Sequence, residues 1–211
     1  MKTLTILYLS LALLLMGAST AAAWPMTYTL SGLLTGDVDG KTFTGAPFSL
    51  RVNADSDAVN AVSLFGANDL YTVGNYTPLF NGPDLAALLD ISGVGSFTFA
   101  DRLWLWVSQG NFYPPGVLAI GTDTEGDFLD LQASYLETYH LVTAVNGQPL
   151  SVMQAGAVPF ALFSVPDGAA VTLNLSGASG VTLDAAVPEP STLLLLGTGL
   201  AGLVFMGRRR S

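Results

Sequence analysis

The chain of 211 residues contains no cysteine, which removes disulfides, thiolate metal sites and cysteine nucleophiles together. It has one histidine, His140, and no Gly-x-Ser-x-Gly elbow to set beside it. A hydroxyl nucleophile needs a neighbouring base, so Ser–His catalysis would rest on His140 alone, and the residue reads instead as a partly buried strand histidine. One imidazole and no thiolate also leave zinc short of its usual ligands. Positive charge is scarce as well. Between Trp24 and Pro190 the basic residues are Lys41, Arg51 and Arg102, set against all 16 acidic ones. Such a surface repels phosphate backbones and anionic head groups, which excludes nucleic-acid binding. Helical patterning is nearly missing too: only Asp84–Asp90, with Asp84 as a cap, reads as one or two turns.

What is present starts at the ends. Lys2, the apolar run Leu4 to Met16 and the small residues Ala21-Ala22-Ala23 follow the order of a secretory signal peptide. This predicts a signal helix over residues 1–23, export through the Sec translocon, and signal-peptidase cleavage between Ala23 and Trp24. The apolar run is short for a permanent span. At the other end, Val187-Pro188-Glu189-Pro190 precedes an uncharged Leu/Gly-rich segment that closes in Arg208-Arg209-Arg210. At ~1.5 Å per residue, a helix over that segment reaches only about 21–24 Å, a marginal transmembrane length. The arginines hold its end on the cytoplasmic side, which places the globular part outside. Gly197, Gly199 and Gly202 argue against a buried water-soluble helix.

These three parts, Pro188-Glu189-Pro190, the span 192–207 and the basic cluster 208–210, resemble the PEP-CTERM sorting signal of Gram-negative bacteria. The resemblance implies an inner-membrane precursor recognised by an exosortase and cut near the Pro-Glu-Pro. It also implies transfer to the cell surface or the extracellular polysaccharide matrix. The segments Tyr28–Gly32, Phe43–Phe48 and Asn53–Val59 are similar to the mature regions of other proteins with this signal. The resemblance specifies a destination and names no ligand.

Residues 24–186 remain as one domain, long enough for a substantial interior. Period-two alternation recurs in Thr27–Leu34, Pro47–Asn53, Ser96–Ala100, Leu103–Val107, Val117–Gly121, Asp127–Leu136, His140–Val145, Pro159–Val165, Ala170–Leu175 and Val181–Asp184. Turn signals fall between these runs, at Asn81-Gly82-Pro83-Asp84, Pro114-Pro115-Gly116, Asn146-Gly147 and Pro166-Asp167-Gly168. The pattern predicts an all-β fold, an antiparallel, jelly-roll-like β-sandwich, with a barrel as the alternative closure.

Candidate sites in the domain each carry a plainer reading. Asp123, Glu125 and Asp127 alternate, with Asp130 behind, and their oxygens suit calcium, the one cofactor the residues could hold. The glycine falls one place early for an EF-hand, and Asp-Gly pairs also serve turns. Asp37-Val38-Asp39-Gly40 and Asp55-Ser56-Asp57 are fragments of the same kind. Trp104 and Trp106 share one strand face, next to a strand carrying Phe97 and Phe99, and with Tyr113 in the following loop would make a sugar-stacking platform if exposed. The apolar Leu103, Leu105 and Val107 between them favour a strand buried on both faces. The expected protein is therefore a non-catalytic, acidic surface or matrix protein, anchored before cleavage by its C-terminal segment and associated with exopolysaccharide. A calcium-assisted carbohydrate-binding module is the alternative, and a glycoside hydrolase with a carboxylate pair the third reading.

Overall fold

The computed structural model describes residues 23–63, 70–74, 82–99, 102–110, 114–122, 126–155, 160–164 and 170–187. Twelve strands follow one another: β1 (Pro25–Val38), β2 (Lys41–Asp55), β3 (Asn60–Val62), β4 (Leu70–Gly74), β5 (Ala86–Ile91) and β6 (Gly95–Phe99), then β7 (Leu103–Ser108), β8 (Val117–Thr122), β9 (Gly126–Gln132), β10 (Val145–Ala155), β11 (Phe160–Ser164) and β12 (Ala170–Ala186). The helices among the described residues are two short 3₁₀ turns, Ser56–Ala58 and Ser134–Thr138. None is long and apolar enough to cross a membrane. The expected signal helix and the tail span lie outside the described residues.

Alternation builds the strands. In β1, Met26, Tyr28 and Leu30 are buried while Thr27, Thr29 and Ser31 take the other face. β2 repeats the pattern with Phe48, Leu50 and Val52. Each buried side chain of this size contributes roughly 1.5–3 kcal/mol relative to exposure.

The all-β, antiparallel expectation holds, but the strands are not divided between two separate sheets. They form one 12-stranded sheet in which β1, β2, β5, β6, β11 and β12 pair in a closed ring. The remainder, β10, β9, β8, β7, β4 and β3, extends from β12. The length of β12 explains the continuity. One of its edges pairs with β1 from Leu173 to Ala186, and the other takes β11 near its start and β10 near its end. The inner faces of ring and extension share one core, from Tyr28, Leu50 and Leu89 in the ring to Leu105, Ile120 and Leu131 in the extension.

Three local expectations are corrected. Residues 86–91 are strand β5, not a helix, because Leu89 pairs opposite Leu50 and is buried there. The runs 170–175 and 181–184 are one strand, continuous across Ser176–Gly180 through register shifts against β1. His140 lies in no strand: it follows the second 3₁₀ turn, and Leu141 after it has φ 63.

Candidate functional site

The segment flanking the sorting signal is built from the two ends of the domain. β12 ends at Ala186, which pairs with Thr27 near the start of β1. Val187 packs against the core beyond that pair. On the N-terminal side, the Trp24 N–H donates to Ser56 Oγ at 3.0 Å, and the Ser56 N–H donates to the Trp24 carbonyl at 2.9 Å. Trp24, at the expected signal cut, is thus held immediately before β1. Pro188, Glu189, Pro190 and Arg208 to Arg210 lie outside the described residues. Ser56 as the clasp of Trp24 was not legible, since 32 residues separate the two.

The tryptophan pair sits on the outer face of the extension. Its rings stack at 6.3 Å between centroids and 14° between planes. Small neighbours make room for them: Gly74 and Gly121 lie opposite Trp104, and Thr72 and Ala119 opposite Trp106. A Cβ at Gly74 would collide with the Leu103 carbonyl and with Trp104 Cα, and its φ of +99° suits glycine alone. Trp104 is 3 % and Trp106 6 % exposed. A buried indole offers no free face to a sugar ring, so the pair is packing in this structure. Tyr113 lies outside the described residues. β6, with Phe97 and Phe99, is not a neighbour of β7, whose partners are β4 and β8.

The same outer face carries Asp130, opposite Ala119 and Gln154. It is 6 % exposed, its Oδ1 has no hydrogen-bond partner among the described residues, and burial pushes its carboxyl above the usual range. Thr72 Oγ1, buried on β4, likewise lacks a partner among the described residues. Neither position could be singled out as buried from local pattern, because neither is apolar.

Asp123 and Glu125 lie outside the described residues, as does the Asp127 side chain. Among the described residues, no group of three or more His, Asp or Glu could hold a metal ion. The Asp37–Gly40 segment does turn work instead. Asp37 Oδ1 accepts from the Gly40 N–H at 3.0 Å and from Asn174 Nδ2 at 3.1 Å, and Asp39 Oδ1 accepts from the Thr172 N–H at 2.9 Å.

Three tyrosines gather under the second 3₁₀ turn. Tyr28 Oη donates to the Leu141 carbonyl at 2.6 Å, while the buried hydroxyls of Tyr135 and Tyr139 lack partners among the described residues. Burial raises the Tyr28 phenol, helped by Tyr139, and raises Tyr139, helped by Tyr135. Burial alone pushes Tyr135 up to about 12. An open cavity of about 310 Å³ borders Tyr135 and Tyr139 together with Asn146 and Gln148. His140 is exposed nearby and stacks on Tyr71 at 4.3 Å between centroids.

No curated protein and no solved structure matches the chain. A family match does exist, over residues 186–210, to the PEP-CTERM protein-sorting motif. It begins on the last residue of β12, so the motif follows the domain without a linker. The motif implies exosortase processing, export, and a surface or extracellular destination. Residues 186–210 of the chain thus carry a PEP-CTERM protein-sorting motif.

Proposed function

We propose that the mature domain is a non-catalytic, acidic component of the cell surface or extracellular matrix that associates with exopolysaccharide. The observation that carries this reading is the sorting motif at 186–210, joined directly to the closing strand of a folded domain. The inner-membrane precursor is a stage of the same route: tail embedded, domain outside, then a cut near Pro188. Burial of both indoles speaks for the plainer association over a stacking module. A glycosidase needs two carboxylates flanking one bond. Asp130 has a raised carboxyl, but its cross-strand partners are Ala119 and Gln154, not acids.

Two measurements test the reading. Intact mass of protein recovered from the cell surface is expected to end near Pro188–Ser191, and recovery of Arg208 to Arg210 on mature protein would make the tail a plain anchor. A glycan array, run with and without calcium, is expected to show calcium-independent retention and no cleavage of the glycans. Released sugar would sink the non-catalytic assignment.

A further inference from the structure

The ends of β1 and β12 create a distinct pole. Ser56 clasps Trp24, one residue past the expected signal cut, and Val187, just before Pro188, packs against the core. The charges here are acidic. Asp55 sits opposite Pro25, Asp57 is exposed in the adjoining 3₁₀ turn, and Asp184 on β12 accepts from the Gly147 N–H at 2.7 Å. Of the described basic side chains, Arg51 is the one nearer this pole. Lys41 lies at the far end of the β1–β2 hairpin opposite Val38, Arg51 lies opposite Thr29, four residues along β2 from Asp55, and Arg102 pairs with Asp84 at 3.5 Å.

We propose that this acidic pole is the membrane-facing end of the precursor, so that both cuts fall in one narrow gap between the domain and the bilayer. The inference rests on the reading of residues 1–23 as signal and 187–211 as sorting tail. Six residues, 187–192, separate Ala186 from Leu193, the first leucine of the apolar run. Fully extended they reach ~20 Å, which bounds how far the pole can stand from the lipid. Negative charge resists closer approach to an anionic leaflet, but only within a Debye length of about 8 Å. The domain is therefore held off the surface yet kept near it, which leaves the chain around Pro188 open to a membrane-embedded enzyme. The opposite pole, at the Asp39–Gly40 turn, stands one β1 length away, about 45 Å at the usual rise per residue.

The absence of cysteine makes a direct test practical. Single labels at Asp57→Cys and Lys41→Cys, both exposed positions, would be placed in the full, tail-bearing chain. The labelled chains are reconstituted in phosphatidylethanolamine/phosphatidylglycerol vesicles containing nitroxide-headgroup lipid. The label at position 57 is expected to be quenched several-fold more than the label at 41, and truncation at Val187 should abolish the difference. Equal quenching at both positions, stronger quenching at 41, or none at either in vesicle-bound chain overturns the orientation. A tail-bearing chain that fails to float with the vesicles overturns the anchoring reading instead, and the orientation with it. Matching circular dichroism of the two labelled chains shows that the fold survived labelling.

Discussion

Ring and extension belong to one hydrogen-bonded sheet, yet their outer faces differ in kind. On the ring strand β1, buried Met26, Tyr28 and Leu30 alternate with half-buried Thr27, Thr29 and Ser31. On β7 and β8 every residue is buried. Antiparallel sheets commonly leave one face to solvent, so the extension is the unusual half. The contrast shows that strand pairing does not decide how many faces are buried. On the extension, Gly74 and Gly121 flank Trp104 and let a large ring lie over small neighbours.

The largest expected effect attacks that contrast directly. Trp106→Ala on the extension should lose about 3–5 kcal/mol in chemical denaturation, while Thr29→Ala on the ring should stay within about 0.5 kcal/mol. Similar losses at both sites would erase the distinction. Next comes the glycine that permits the packing. Gly74→Ala should destabilise by about 3 kcal/mol, from strained backbone plus collision with the Leu103 carbonyl. Gly40→Ala, also at positive φ but with open space around it, should cost about 1 kcal/mol. Equal costs would mean that conformation alone matters and the close approach does not.

A smaller effect separates paired from unpaired hydroxyls in the core shared by both halves. Tyr28→Phe removes the bond to the Leu141 carbonyl and should cost about 1–2 kcal/mol. Tyr139→Phe removes a hydroxyl without a partner among the described residues and should be neutral or stabilising. The raised phenols of Tyr28, Tyr135 and Tyr139 hold protons more tightly folded than unfolded. Their contribution is complete below the ordinary tyrosine range and is lost as pH rises through the folded values. The melting temperature should therefore show no dependence on their titration near neutral pH and should fall at alkaline pH.

The smallest effect concerns Asp130, whose carboxyl is also raised by burial. Its contribution to stability is full below the unfolded carboxylate range and declines as pH rises through the folded value. Asp130→Asn should raise the melting temperature by a few degrees near neutrality and leave it unchanged in acid. A variant effect that persists undiminished at low pH would assign Asp130 a structural role independent of its charge.

The sequence carried the all-β class and the sorting motif because both are local signals: alternation, turns, and contiguous residues ending in Arg208 to Arg210. It misassigned β5 because Leu85, Leu88 and Leu89 also fit helical spacing, and pairing with β2 decided the matter. Ring closure was hidden for a different reason. Thr27 opposite Ala186 joins the two ends of the domain, and no window of sequence contains both. Buried polar positions such as Thr72 and Asp130 were equally hidden, since burial of the second face depends on neighbouring strands. Asp37 and Asp39 were legible as turn residues because turn chemistry is local.

The strand that completes the ring is also the last to be made. Synthesis runs from the N-terminus, so β1 must wait for some 150 later residues before its second partner exists. Pairings so distant in sequence form slowly. The ring therefore stays open until residues 170–186 have been made. The closing strand lies directly before the sorting segment, so ring closure can only follow synthesis of nearly the whole domain.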